Sequence, residues 1–366
     1  MKKYFSIILC SIAMLAALQG CKPSQSGQEE TPSLEPVLSD DPVPSEEPAL
    51  SEDPSTAPEE PSQDWSWENG YPKGVSVEVF DEDFSDGGKC HGYIATIDFS
   101  INPNLKFNCL NSSKKKKPTG FFADLQESNG TPCLAINGGY FAGSTSVSLV
   151  ARDGKLVISA FRAFNWPNDE HAECTMYPVR SAIGRMGDGH FEIQWTYCTD
   201  PAFRTHTVFP SPLDNNEKTK TFMTEPPKAD YCEGTWSWEP QDAIGGGPRL
   251  VKDGKDVSAE SYWGECLDAG GTSGFYRVNR TAAGITEDNK LILIVADGRG
   301  SNDSKGYTLA ELAAKFISLG CTDAMNLDGG GSSCIVGAEG KILNAPSDSG
   351  GERSVASAIV ISELPH

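Results

Sequence analysis

Positive charge is scarce in this sequence. Lys and Arg number 30 against 51 Asp and Glu, a formal net charge of −21 over 366 residues. A nucleic-acid surface needs clustered cations to displace counterions from phosphate, so that class of partner is not expected. The 11 cysteines include no C-x-x-C pair, which removes the zinc-ribbon reading. The 5 histidines stand in no nucleophile context, so a catalytic cysteine lacks its base and buried or bridged cysteine is expected. No Gly-Lys-Ser/Thr follows the glycine-rich stretch at 328–332, and no G-x-G-x-x-G opens a helix, which leaves nucleotide-binding loops without support. Apolar runs are short as well. The run from Phe5 to Leu18 falls below the roughly 20 residues of a membrane-spanning helix.

That run follows Lys2 and Lys3 and ends Leu18-Gln19-Gly20-Cys21. A basic start, a short apolar stretch and a small residue before the cut describe a secretory signal. Its end resembles the lipobox of bacterial lipoproteins, so 1–21 is expected to be a signal with Cys21 as the lipid attachment, anchoring the chain without spanning the bilayer. Gln19 is uncommon in such a box, and a plain signal peptide is the alternative. Residues 22–64 repeat Ser, Glu, Asp and Pro, with Lys22 as their one basic residue. Like charges and little apolar surface predict a disordered tether. The expected location is the periplasmic or cell-surface face of the outer membrane. An oxidising compartment predicts one to three disulfides among Cys90, Cys109, Cys133, Cys174, Cys198, Cys232, Cys266, Cys321 and Cys334. Pairs such as Cys174–Cys198 do not follow from sequence.

Residues 65–366 read as one domain. Short apolar runs broken by Gly, Asp and Asn predict strands at Val75–Phe80, Gly92–Phe99, Leu134–Asn137, Lys155–Ser159, Phe191–Trp195, Lys290–Ala296 and Ser354–Ile361. RSAIGRMGDGHFEI (180–193) echoes RTAAGITEDNKLIL (280–293), each a hairpin opened by an arginine. The expected class is α+β: mixed β-sheets with helices packed on one face, many hairpins and two similar halves. The aromatic- and proline-rich stretch 161–241 reads as an irregular insertion. One helix is clear, with Thr308 and Glu311 as capping box, Leu309, Leu312, Ala313, Phe316 and Ile317 as apolar face, and Gly320 as stop.

Around that helix lies a strand–helix–strand unit. Strand 291–296 runs into Asp297-Gly298-Arg299-Gly300, and strand 324–327 runs into Asp328-Gly329-Gly330-Gly331-Ser332. Such a crossover makes its two strands parallel, so Asp297 and Asp328 should leave one edge of the sheet. Asn137-Gly138-Gly139 and Gly245-Gly246-Gly247 follow strands in the same manner. One such end is a turn; four together predict a shared binding edge where backbone N–H groups approach a ligand.

NGGYF, IGGGPRLVKDGK, RTAAGITEDNKLILIVADGRG, GYTLAELAAKFISLGCTDAMNLDGGGSS and SVASAIVI resemble the phosphodiester glycosidase family, over about 74–364 and most strongly from 242 onward. The segment 161–241 and the lysine run 114–117 have no match to that pattern. The resemblance implies hydrolysis of a sugar-1-phosphodiester of the N-acetylglucosamine-α-1-phospho type, releasing free sugar and a phosphomonoester. Cleavage at the anomeric carbon builds oxocarbenium character, which a carboxylate stabilises or attacks. Asp297 and Asp328 therefore take the carboxylate roles, in an order left open. Arg280 is the expected phosphate clamp, because guanidinium binds phosphate through a paired fork; Arg299 and Arg180 are further candidates. Asn137, Gly138, Gly139, Gly245, Gly246, Gly247, Gly329, Gly330, Gly331 and Ser332 are expected to contact substrate. The scheme needs no metal and no cofactor, and its partner is a small sugar-phosphate or glycan. Two other readings stay open. One is a glycan-binding lipoprotein using Trp65, Trp67, Trp166, Trp236 and Trp238; the other is a phosphodiesterase that cuts P–O.

Overall fold

The computed structural model describes residues 66–165, 175–269 and 271–366. The signal, Cys21, the tether, Trp65, Trp166 and Cys174 lie outside the described residues. Three sheets carry the fold. The first has seven strands in the order Val75–Asp83, Lys89–Ile97, Leu291–Ala296, Arg280–Thr286, Cys321–Asn326, Arg249–Lys252 and Lys255–Asp256. The second, also seven-stranded, runs Trp236–Trp238, His206–Phe209, Phe191–Tyr197, Arg180–Arg185, Asp242–Gly245, Val150–Arg152 and Lys155–Ile158. Four strands form the third: Ile335–Val336, Thr131–Asn137, Val355–Glu363 and Leu105–Lys116.

The α+β expectation holds in its coarse form, with strand prevailing, and two details need correction. Every ladder between these strands is antiparallel rather than mixed. The three described helices are short and do not form one layer. Pro118–Ala123 packs with Leu110, Ala135 and Val360 of the third sheet, whereas Leu309–Ser318 packs on the first. The stretch 161–241 supplies four strands of the second sheet among its loops.

The run Leu291–Ala296 shows why the chain folds this way. Leu291, Leu293 and Val295 join Ile97, Ile183, Ile193 and Ile359 in a core shared by all three sheets. Ile292, Ile294 and Ala296 point the other way, onto Leu309, Leu312 and Phe316. A strand buried on both faces has to be apolar at every position, and this one is. The helix starts as its sequence predicts: Glu311 N–H donates to Thr308 Oγ1 at 3.2 Å, and Thr308 N–H donates to Glu311 Oε2 at 2.9 Å. Its Phe316 lies where a Cβ on Gly284 would stand, so the close contact of helix and strand requires glycine there.

The two echoing segments form the central hairpins of the two larger sheets, 180–185 with 191–197 and 280–286 with 291–296. Asn289, in the turn of the second, accepts from Phe191 N–H of the first at 2.8 Å and ties them together. Of the cysteines, 90, 109, 133, 198, 232, 321 and 334 are thiols, so no disulfide forms among these seven. All but Cys232 are buried, packed as small apolar groups, and burial pushes Cys90 and Cys321 up to about 12. Among the described residues no helix is long and apolar enough to cross a membrane.

Candidate functional site

Strands 291–296 and 321–326 are both antiparallel to 280–286, which lies between them, so they run parallel without touching. Their carboxyl ends meet the amino end of 280–286. Arg280 pairs with Ala296, and Ala282 with Asn326. One sheet edge thus collects Arg280, Asp297 and Asp328.

Two cavities open at that edge and share Tyr140, Thr272 and Asp328. The inner one, about 140 Å³, adds Arg280, Arg299 and Gly329. The outer one, about 460 Å³, is walled by Phe141, Phe161 and Phe164 with Arg180 and Arg353. Asp328 is the sole carboxylate lining either cavity among the described residues. Burial pushes its carboxyl up to about 6, against the opposing effects of the Ser332 hydroxyl bonded to it and the nearby Arg353 charge.

Arg280 is 2 % exposed. Its Nε donates to Tyr307 O at 2.9 Å, and its Nη2 to the carbonyls of Ser273 and Tyr276. Burial lowers it to about 10, so it keeps its proton at neutral pH. Among the described residues no carboxylate pairs with it. A buried guanidinium oriented by carbonyls and lacking a counter-ion is a site prepared for an anion. Arg299 joins it from a loop in which Arg299, Asn302 and Asp303 all have positive φ, at 55°, 52° and 57°. Such backbone persists only when its surroundings hold it.

Asp297 does the holding. It is fully buried, and it lines neither cavity. Oδ1 accepts from Asn344 Nδ2 at 3.0 Å and Ala345 N–H at 3.1 Å; Oδ2 accepts from Asn302 Nδ2 at 2.8 Å. Asn137 is likewise occupied by the protein. Its Oδ1 accepts from Thr281 Oγ1 at 2.7 Å and Cys334 N–H at 3.1 Å, while Nδ2 donates to Asp328 O at 2.7 Å. It fixes the backbone of Asp328 and has no acceptor or donor left over for a ligand.

The glycines divide in the same way. Gly329 and Gly330 line the inner cavity. Gly138, Gly139, Gly245, Gly246 and Gly247 instead let chain segments meet: a Cβ on Gly246 would stand 2.6 Å from Asn326 O. Gly331 leaves room for the Arg353 guanidinium, and Ser332, buried, accepts from Arg353 Nη1 at 3.3 Å. Arg180 lines the outer cavity, its Nε and Nη2 donating to the carbonyls of Glu265 and Cys266. Four features of the site were not read from sequence: the aromatic wall, Thr272, Arg353 and Tyr140. Tyr140 donates to Gly247 O at 2.7 Å and accepts from Asn326 Nδ2 at 3.1 Å. Its place directly after Asn137-Gly-Gly was the available cue.

Comparison with known proteins bears on this arrangement. Residues 202–362 match the model of the phosphodiester glycosidase family. The chain is 45% identical over 113 residues to the SPbeta prophage-derived uncharacterized protein YomE of Bacillus subtilis (strain 168), covering 31% of this chain and 16% of that one. It is 35% identical over 104 residues to the bovine (Bos taurus) N-acetylglucosamine-1-phosphodiester alpha-N-acetylglucosaminidase, covering 27% and 19%. The match thus spans less than a fifth of either relative. In fold it is similar to the catalytic domain of the zebrafish N-acetylglucosamine-1-phosphodiester alpha-N-acetylglucosaminidase, with a TM-score of 0.53, 18% identity, and 79% and 83% of the two chains covered. The resemblance drawn from the motifs is thereby shown at the level of the family.

Proposed function

We propose, with the phosphodiester glycosidase kinship as premise, that this chain hydrolyses the glycosidic C–O bond of a sugar-1-phosphodiester of the N-acetylglucosamine-α-1-phospho type. The observation that carries the reading is the isolation of Asp328: one carboxylate between a cationic inner cavity and an aromatic outer one. Ordinary glycosidases pair two carboxyl groups because an alcohol leaves poorly and needs a proton. A phosphate ester leaves without one, so a single carboxylate with arginines suffices. In this scheme Arg280 and Arg299 hold the scissile phosphate and the sugar lies against Phe141, Phe161 and Phe164. Asp328 faces the anomeric carbon. The C1–O bond breaks, its electron pair goes to the phosphate oxygen, and water supplies the hydroxyl at C1. Asp328 either adds to C1 first or takes the proton from that water. Asp297 acts through the Arg299 loop that it holds.

Hydrolysis in ¹⁸O-labelled water tests this. With N-acetylglucosamine-α-1-phosphomethyl as substrate, label in the sugar is expected. Label in the phosphate would move the protein to the phosphodiesterases, and binding without turnover would favour the glycan-binding lipoprotein. Export and lipid anchoring are part of the same proposal and rest on the Leu18-Gln19-Gly20-Cys21 sequence. Cys21→Ser should shift the protein from the membrane to the soluble fraction.

A further inference from the structure

The phosphodiester reading leaves two cations unused: Arg180, which lines the outer cavity, and Lys115, which stands over one of its rings. The Arg180 guanidinium lies 5.4 Å from the Phe164 ring centroid, and Lys115 Nζ lies 5.3 Å from that of Phe141. Both rings are walls of the outer cavity. The third cation there, Arg353, is taken by Asp348 through Nε at 2.7 Å and Nη2 at 2.8 Å. Arg180 and Lys115 pair with no carboxylate among the described residues. Within the run Lys114–Lys117, Lys116 is paired with Asp124 at 2.8 Å and Lys117 with Glu352 at 3.9 Å; Lys114 and Lys115 keep their charge exposed. In a chain of net charge −21 two uncompensated cations on the aromatic wall of one cavity are conspicuous. Each cation rests on a ring face, which keeps its charge at the lip while its stem covers apolar surface.

We infer that the sugar seated on the aromatic wall itself carries an anionic group away from C1, a phosphate or a carboxylate, received by Arg180 and Lys115. The substrate class is then an acidic sugar linked through its anomeric phosphodiester, as inside a chain of repeating sugar phosphates. The inference rests on the glycosidase reading and deepens it. Inner and outer cation pairs would take two anions on either side of Asp328, which fixes the sugar's direction in the cleft as well as its charge.

The full-length protein is given three methyl phosphodiesters: of N-acetylglucosamine, of its 6-phosphate, and of its uronic acid. A kcat/KM at least about tenfold higher for one of the acidic sugars is expected, a preference that shrinks with added salt. Which acidic sugar is preferred separates phosphate from carboxylate. In Lys115→Ala that ratio should fall toward one, and in Lys115→Glu below the alanine value. Equal or lower kcat/KM for both acidic sugars overturns the inference and leaves the glycosidase reading standing. So does a ratio indifferent to Lys115. Turnover of none of the three overturns the glycosidase reading and this inference with it.

Discussion

Asp297 and Asp328 end two parallel strands of one sheet, yet Asp328 opens into the cavities while Asp297 is clasped by Asn302, Asn344 and Ala345. Replacing each by Asn should separate chemistry from scaffold. Asp328→Asn is expected to lower kcat by about 10³-fold or more with no loss of melting temperature, since it removes the carboxylate that the proposed scheme places at the reacting carbon and relieves the burial of its charge. Asp297→Asn places an NH₂ against N–H donors and should cost about 1–3 kcal/mol of stability, read by thermal unfolding, with a smaller loss of kcat. An unshifted melting temperature combined with full loss of kcat in Asp297→Asn would return that residue to the chemistry.

The raised carboxyl of Asp328 fixes the sign of the pH dependence. In the proposed scheme its carboxylate is the working form, and burial holds its pKa at about 6. kcat/KM measured on a neutral sugar phosphodiester should therefore rise tenfold per pH unit below about 6 and level off above it. A plateau extending unbroken to pH 4 would show that Asp328 is not the titrating group.

Arg280→Lys should weaken the inner cavity as an anion site. Lysine offers a point charge on a flexible stem and cannot keep the carbonyls of Ser273, Tyr276 and Tyr307 while presenting the two N–H groups that Arg280 has left on Nη1. A fall in kcat/KM of about 10²-fold is expected, with a parallel rise in the inhibition constant of inorganic phosphate. Unchanged inhibition by phosphate would place the phosphate elsewhere.

Asp242, far from this chemistry in the role proposed, opens the strand 242–245 and is buried. Its carboxyl is pushed up to about 6, by burial first and then by Asp153. A folded pKa above the unfolded value means that the stabilising form is the protonated one, and that stability falls as pH rises through about 6. Asp242→Asn should therefore stabilise the fold at pH 8 by at most about 3 kcal/mol, read as a higher melting temperature, and the advantage should vanish below pH 4.

Much of this architecture was legible because it is local. Leu291–Ala296, Val355–Glu363 and the two arginine-led hairpins announce themselves by apolar runs closed with turn residues, and the helix at 309–318 by its cap and stripe. The parallel ends of Asp297 and Asp328 followed from chain order. Long-range partnerships were not legible. Nothing near Asp297 in sequence announces Asn344 or Ala345, which arrive some fifty residues later and change its role. Asn137 reads as a ligand contact because Asn before Gly-Gly looks exposed; Thr281 and Cys334 claim it only once three sheets converge. Arg353 and the aromatic wall come from segments with no periodic signal, brought together by the same convergence.

The two hairpins have a last implication. Leu327 N–H donates to Thr281 O, and Gly246 N–H donates to Ser181 O, so Asp328 and Gly247 occupy matching places one residue later. Arg180 and Arg280 match as well, each anchored through Nε and Nη2 to backbone carbonyls. The two hairpins are thus near-copies in backbone and arginine placement, one followed across the sheet by an acid and the other by glycine. In the proposed scheme the chemistry falls to one copy, while Ile183, Ile244 and Ala283 lie in the apolar core that the sheets share. Conservative exchanges in that core would shift one hairpin against the other without touching a residue that the scheme places at the substrate.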